Sequence, residues 1–246
     1  MLIEVDGLSK RFGGLQALDS VSLTARGGEV TAVIGPNGAG KSTLLDCLSG
    51  ITPFDQGRIV IDGTAHGRIA LGELVELGIS RTFQHIRLFE SLKAREHLVL
   101  ARQNLAASRR GKAMVRGGAA LPDPDRLLER VGLTSKAPQR PDELAYGERR
   151  RLEIARALAT APRLLFLDEP AAGSTLSEQN GLADLIRGIA EEGVAVVLVE
   201  HHMDLVGRVS AQVVVLNFGR HVVTGSIVEV RRHPEVIRAY LGVSAA

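Results

Sequence analysis

The sequence predicts an α/β fold with a mainly parallel central sheet. Three observations lead there. Short, apolar, strand-sized runs alternate with helical segments along most of the chain. A glycine-rich loop, "GPNGAGKST", joins one such run to a helical segment. A later run, "RLLFLDEP" (Arg163 to Pro170), carries four apolar residues and then two carboxylates, Asp168 and Glu169. A buried strand would deliver that pair to the C-terminal edge of a parallel sheet, where ligands sit in such folds.

The elements follow in order. Residues 2–5 and 21–25, with "GRIVIDG" (Gly57 to Gly63), read as a small antiparallel layer. "EVTAVIG" (Glu29 to Gly35) reads as a buried strand. "KSTLLDCLSG" follows as a short helix, with Gly50 suited to its C-cap. Between residues 85 and 160 the pattern turns helical. Within it, 102–124 is rich in Gly, Ala and Arg without clear periodicity, and most of it is expected to be an exposed connection with a solvated basic face. "VAVVLVEH" (Val194 to His201) is a further core strand. "VVVLNFGRHVVTG" is a hairpin turning at Asn217 to Arg220. The expected organisation is one domain over 1–246: a core of 1–84 and 161–246, and a helical subdomain inserted at 85–160.

Composition narrows the function. Apolar residues make up 45% of the 246-residue chain, enough for a real core, and the formal net charge is only +2. No strong field points to nucleic acid. One cysteine, Cys47, excludes an internal disulfide and fits a reducing compartment. No run approaches the roughly 18 apolar residues of a membrane helix. The start "MLIEVDGLSKRF" lacks the apolar core of a signal peptide. A soluble cytoplasmic chain is expected, reaching a membrane only through a partner.

The loop Gly35-Pro36-Asn37-Gly38-Ala39-Gly40-Lys41-Ser42 fits G-x-x-x-x-G-K-[ST] in full, with Thr43 beside it. Its glycines let successive N–H groups aim at phosphate oxygens. Lys41 supplies a point charge to the β- and γ-phosphates, and the Ser42 hydroxyl is placed to ligate Mg²⁺. Asp168 is the second candidate metal ligand. Glu169 would polarise the attacking water, as general base or by orienting it. His201 ends the next strand, in "LVEHHM", and could contact the γ-phosphate. His201 and His202 are adjacent, so on a strand they would face opposite ways, which argues against a metal pair. His202 is expected to be structural or exposed.

"DELAYGERRRLEIARAL" (Asp142 to Leu158) sets a second glycine, Gly147, at an expected helix start, which suits a phosphate. One loop already serves the nucleotide. A second on a separate helical lobe makes sense if it meets the γ-phosphate bound to another copy, in an isologous pair. With these segments in place, the chain resembles the nucleotide-binding subunit of an ABC transporter over essentially its full length. The resemblance implies the ABC ATPase fold, a P-loop NTPase core with a helical insert. It implies that Phe12 stacks on adenine. It implies that Gln84, in "SRTFQHIRLF", reaches Mg²⁺ and the attacking water, and so joins Glu169, His201 and Lys41 as catalytic. It implies that Ala145, Tyr146, Gly147 and Glu148 contact the partner's nucleotide, and that "AAGST" (Ala171 to Thr175) crosses between subunits. The implied ligands are ATP and Mg²⁺. The implied partners are a second ATPase subunit, copy or paralogue, two transmembrane permeases and, indirectly, a solute-binding protein. Nucleic acid is not among them.

"RTFQHIRLFESL", "LAYGERRRLEIARAL", "DEPAAG" and the ending "HPEVIRAYLG" resemble the ATP-binding subunits of branched-chain amino acid importers. Relatives handling amides or urea, and lipopolysaccharide-extracting ATPases, are the neighbouring readings. Two departures stand out. Ala145 replaces the family's common serine, although alanine is usual in this subfamily. Ser174-Thr175-Leu176 replaces its usual Leu-Asn-Pro, which is expected to weaken communication between the two sites.

After "LAYGE" (Leu144 to Glu148), which stands in the place of the signature of the family the chain resembles, Leu152, Ala155, Leu158 and Ala159 form an apolar stripe. Arg149, Arg150 and Arg156 are expected on a solvated face or in ion pairs at a subunit boundary. Aromatic residues are 3% of the chain and none interleave with these arginines, so no stacking platform for single strands exists. Three rival readings are weaker. A soluble, nucleic-acid-directed ATPase of this type would carry two cassettes or a long coiled-coil insert. A small-molecule kinase leaves the signature and His201 unused. A GTPase lacks its Asn-Lys-x-Asp motif.

Overall fold

The computed structural model describes residues 2–241. Gly242, which closes the "HPEVIRAYLG" ending, lies outside them. β1 (Leu2–Phe12) and β2 (Leu15–Arg26) open the chain. β3 (Val30–Ile34) leads into α1 (Lys41–Leu48). β4 (Gln56–Ile61), β5 (Thr64–His66), α2 (Leu74–Leu77) and β6 (Ile79–Arg81) follow. The helical insert holds α3 (Ala94–Ala107), α4 (Arg109–Arg116), α5 (Pro124–Arg130) and α6 (Tyr146–Leu158). β7 (Leu164–Asp168), α7 (Leu176–Glu191), β8 (Ala195–Val199) and α8 (Met203–Val209) return to the core. β9 (Gln212–Asn217), β10 (Arg220–Gly225), α9 (Ile227–Arg232) and α10 (Pro234–Leu241) complete it.

Two sheets result. The expected antiparallel layer has order β2-β1-β4-β5. The core sheet has order β10-β9-β3-β8-β7-β6, parallel except for the β9–β10 hairpin. Strands β3, β7 and β8 are buried at every position, which is why they read as continuous apolar runs. Alternate residues serve alternate faces. Leu164 and Phe166 of β7 pack with α1 and the antiparallel layer, whereas Leu165 and Leu167 pack with the cluster that includes α6 and α7. Gly50 stands just past α1 with φ +69, where a Cβ would lie 2.0 Å from the Ile69 carbonyl oxygen. Among the described residues no helix is long and apolar enough to cross a membrane.

The segment 102–124 departs from expectation. Residues 102–107 finish α3, and 109–116 form α4 rather than a loop. The causes are partly tertiary. The Ser108 hydroxyl accepts the Gly111 N–H, and the Glu76 carboxylate accepts the N–H groups of Arg109 and Arg110. The Arg110 guanidinium donates to the Thr160 and Ala161 carbonyls, so it is half-buried rather than solvated. Arg102, Lys112 and Arg116 do stand exposed.

Candidate functional site

Four chain segments converge where adjacent parallel strands end: Gly35 after β3, His201 after β8, Asp168 at the end of β7, and Gln84 beyond β6. The loop between β3 and α1 can turn so tightly because its glycines take backbones that other residues resist. A Cβ on Gly35 would lie 2.1 Å from the Leu216 carbonyl oxygen. Gly40, with φ +96, caps α1, and a Cβ there would come within 2.5 Å of the Ala17 carbonyl oxygen. Lys41 is 6% exposed and its Nζ donates to the carbonyls of Gly35 and Pro36, at 2.7 and 2.9 Å. Burial pushes the Lys41 ammonium pKa down, and the nearby Glu169 and Asp168 carboxylates oppose it.

A cleft of about 640 Å³ opens above this loop. Asn37 to Thr43 floor it, and Phe12, Gln84 and Glu169 wall it. Phe12 is 49% exposed, a large aromatic face left open to the cleft. Phe218, at the β9–β10 turn, lines the same cleft and is 83% exposed. Sequence reasoning missed Phe218. The available signal was an apolar residue inside a hairpin turn that has no core to bury it in. Gly35 and Pro36 are not among the cleft-lining residues, but their carbonyls accept from Lys41. His201 is exposed and is not among the cleft-lining residues.

Glu169 holds φ +46, a left-handed backbone that a glutamate rarely adopts. Its N–H donates to the Val199 carbonyl at 2.9 Å, and its Oε2 accepts from Gln84 Nε2 at 3.0 Å. Asp168, 2% exposed, accepts from Arg81 Nη2 through Oδ2 at 2.9 Å, while its Oδ1 is buried without a partner. Burial pushes the Asp168 carboxyl pKa up, and Arg81 opposes it. Ser42 lines the cleft and Asp168, like His201, is not among its lining residues, but a hydroxyl and a carboxylate oxygen left without a donor are a donor set whose chemistry fits a hard divalent ion such as Mg²⁺. Ser42 and Asp168 would hold it.

The two histidines do not behave as strand neighbours. β8 ends at Val199, so His201 and His202 lie beyond it, with ring centroids 4.1 Å apart rather than facing opposite ways. With Glu200 they offer three possible metal-ligand atoms within 4.8 Å. Glu200 is fully buried and already engaged. It accepts from the Ala171, His201 and His202 N–H groups and meets His202 Nδ1 at 2.9 Å. Glu200 thus ties the segment after Glu169 to the His201 segment. An acid at the end of an apolar strand, between core and histidines, was its only sequence signal.

The second glycine turn sits elsewhere. Ala145 N-caps α6, so Gly147 is the second residue of the helix, as expected. Glu148 accepts the Ala145 N–H at 2.9 Å. None of Ala145, Tyr146, Gly147 or Glu148 lines the cleft above the Gly35–Ser42 loop. Gly147 borders a separate cavity of about 360 Å³, together with Arg130, Ser174 and Glu178. The apolar stripe of α6 is buried as expected. The arginines are not on a solvated face. Arg150 is 2% exposed, and its guanidinium donates to the Phe83 and Gln84 carbonyls at 2.6 and 2.7 Å, to the Tyr146 hydroxyl at 3.0 Å and to Glu153 at 3.3 Å. Arg156 reaches the other Glu153 oxygen at 3.6 Å and the Arg87 carbonyl. Arg149 donates to the Leu144 carbonyl at 3.0 Å. The carbonyls on each side of Gln84's α-carbon explain the burial of Arg150: a strand-end loop with free acceptors draws the nearest cation of α6 inward.

Comparison with known proteins agrees with this geometry. Residues 18–172 match the family model for the ABC transporter. The high-affinity branched-chain amino acid transport ATP-binding protein BraF of Pseudomonas aeruginosa is 41% identical over 98% of both chains. The protein LivG of Salmonella typhimurium, described in the same words, is 39% identical over the same share. A crystal structure of the ADP conformation of an ATP-binding cassette of an ABC transporter superposes with a TM-score of 0.84 at 27% identity, covering 98% of each chain. With a glycine-rich loop and a carboxylate pair beside a helical insert on a sheet of this order, these matches place the chain in the ABC transporter ATP-binding family.

Proposed function

We propose that this chain is the ATP-hydrolysing subunit of an importer for branched-chain or other hydrophobic amino acids, acting as a pair of cassettes beneath two permeases. The observation that carries the reading is the division of labour in the site. Phe12, the Asn37–Thr43 loop and the Gln84–Glu169 pair share one cleft, while none of Ala145 to Glu148 lines it. The likeness to BraF and LivG supports the choice of solute.

In this reading Phe12 stacks on the base and the N–H groups of Gly38 to Thr43 hold the phosphates. Lys41 exchanges the Gly35 and Pro36 carbonyls for phosphate oxygens. Mg²⁺, held by Ser42 and Asp168 and reached by Gln84, would neutralise charge across the β- and γ-phosphates. Gln84 already holds Glu169 at 3.0 Å, so the carboxylate waits beside the position of the attacking water. His201 approaches the γ-phosphate when the pair closes. Ala145 to Glu148 of the opposite cassette then complete the site with helix N–H groups and the positive end of α6. Closure draws its free energy from the preference of ATP for the closed pair.

The helical insert, residues 85–160 against a core of 1–84 and 161–246, carries that closure to the membrane. A groove of about 260 Å³ between Val75, Phe89, His97, Leu100 and Asn104 is our candidate seat for a permease loop. Phe89 is 54% exposed there, five positions beyond Gln84, and its N–H donates to His97 Nε2 at 2.9 Å. Burial lowers the His97 pKa, which keeps the ring neutral and able to accept. The assembly would lie on the cytoplasmic face of the membrane. A lipid- or lipopolysaccharide-directed cassette is the second reading, kept by the resemblance of the chain's ending.

The test is Glu169→Gln. Turnover should fall by about 10²–10⁴ while ATP binding persists. ATP should then convert monomers to dimers on size-exclusion chromatography. A variant that hydrolyses ATP at the unaltered rate removes Glu169 from its role. Co-purification of the chain with two hydrophobic membrane proteins, and solute-stimulated ATPase by that complex, separates import from the second reading.

A further inference from the structure

Arg81 closes β6, three residues before Gln84, and its side chain is only 5% exposed. It does not line the nucleotide cleft. Its guanidinium nonetheless joins elements that the phosphate chemistry needs in register. Nη1 donates to Asp46 Oδ1 and to Ser49 Oγ, both at 2.7 Å, at the far end of the helix that Lys41 begins. Nη2 donates to Asp168 Oδ2 at 2.9 Å. The Phe83 ring lies 5.1 Å from the guanidinium carbon. Burying a cation is costly, and a buried ion pair is by itself a weak source of stability. A role in orientation explains its place better.

We propose that Arg81 is a positioning residue for the metal-ligating carboxylate: by occupying Oδ2 of Asp168 it fixes the side chain and leaves Oδ1 as the atom for the divalent ion. The terminal torsion of an aspartate is broad, so a carboxylate held at neither oxygen samples many orientations. Holding one oxygen against a guanidinium that is itself pinned to α1 removes that freedom. It also relates Asp168 to Ser42, the other candidate ligand, because Ser42 and Asp46 sit on the same helix one turn apart. The orphaned Oδ1 is the complement of this arrangement. A supporting partner behind a metal ligand changes affinity for the metal more than affinity for the rest of the ligand.

The inference rests on the cleft being an ATP site with a divalent ion, and binding of a fluorescent ATP analogue in EDTA tests that premise separately. The full chain is used, and binding is read without turnover across a Mg²⁺ titration. In Arg81→Met the Mg²⁺ concentration for half-maximal enhancement of binding should rise about 10–100-fold, with affinity in EDTA within about twofold of the parent. Arg81→Lys and Asp46→Asn, which loosen one end of the bridge each, should shift the midpoint in the same direction by less. Mn²⁺ binding followed by electron paramagnetic resonance should weaken in parallel. An unchanged Mg²⁺ midpoint in a variant with the parent's circular dichroism overturns the proposal. An equal loss with and without metal does so too, since that is general damage to the loop. Where Arg81→Met fails to fold, the other two variants decide on the same terms.

Discussion

Gly40 and Gly147 each open a helix, yet the structure surrounds them differently. Gly40 holds φ +96, and a Cβ there would come 2.5 Å from the Ala17 carbonyl oxygen and 3.0 Å from a Leu18 methyl. Gly147 has an ordinary helical backbone, and a Cβ there would meet the Glu178 carboxylate, 2.5 Å from its Oε1. The first turn is demanded by its own fold. The second is a glycine that its own fold does not need, as the proposed contact with a second cassette expects.

Paired substitutions break or sharpen this contrast. Gly40→Ala forces a left-handed alanine against backbone, so it should cost about 1–3 kcal/mol. It should also abolish ATP binding by the isolated chain, read by the fluorescent analogue. Gly147→Ala should leave that binding untouched and cost no more than about 1 kcal/mol, since only the Glu178 carboxylate, which caps Thr175, has to move for the methyl. In the assembled transporter it should lower ATPase by about 10²-fold, because the Cβ blocks backbone approach to the partner's phosphate. If Gly147→Ala weakens binding in the isolated chain as Gly40→Ala does, the contrast fails and both turns serve one nucleotide in one subunit.

Arg150 tests how firmly the second turn is tied to the first site. Its guanidinium bridges the Tyr146 hydroxyl, one residue before Gly147, and the Gln84 carbonyl. Arg150→Met should cost about 2 kcal/mol or more in urea unfolding, because buried acceptors lose their donor. Beyond that loss, solute stimulation of ATPase should fall further than the basal rate does. Equal reductions in both would make Arg150 a packing residue only.

The contrast also explains what the sequence revealed. The phosphate loop, the carboxylate pair and the buried strands are local patterns, and each is written within one segment. The antiparallel layer and the hairpin at Asn217 to Arg220 emerge from glycines between β-rich runs. What stayed hidden depends on partners far along the chain. Arg150 looked solvated because its acceptors lie 66 and 67 residues away. Residues 109–116 looked like a loop because Glu76, 33 residues earlier, helps to hold the start of their helix. Arg81 is hidden in the sequence for the same reason, since its acidic partners Asp46 and Asp168 lie 35 and 87 residues away. His201 and His202 were placed on a strand that stops two residues short of them.

The smallest effect concerns Ser174-Thr175-Leu176, where the chain departs from its subfamily. Thr175 caps α7: its hydroxyl accepts the Glu178 N–H at 3.3 Å, and Glu178 returns to the Thr175 N–H at 2.8 Å. Thr175→Ala should therefore cost about 1 kcal/mol, and lower the melting temperature by about 2–4 °C in a chain of this size. The Leu-Asn-Pro replacement should not, because Asn caps as well as Thr and Pro suits the first helical position. Any change it brings in the assembled transporter then arises outside the fold. Leu176 is 71% exposed and Ser174 borders the same cavity as Gly147, so the surface they alter adjoins the proposed contact with a second cassette. We expect the replacement to raise the cooperativity of ATP hydrolysis with the melting temperature unchanged. Unaltered rate and cooperativity would show that the departure is silent. A drop in melting temperature would show that this loop, like Gly40, answers to its own chain.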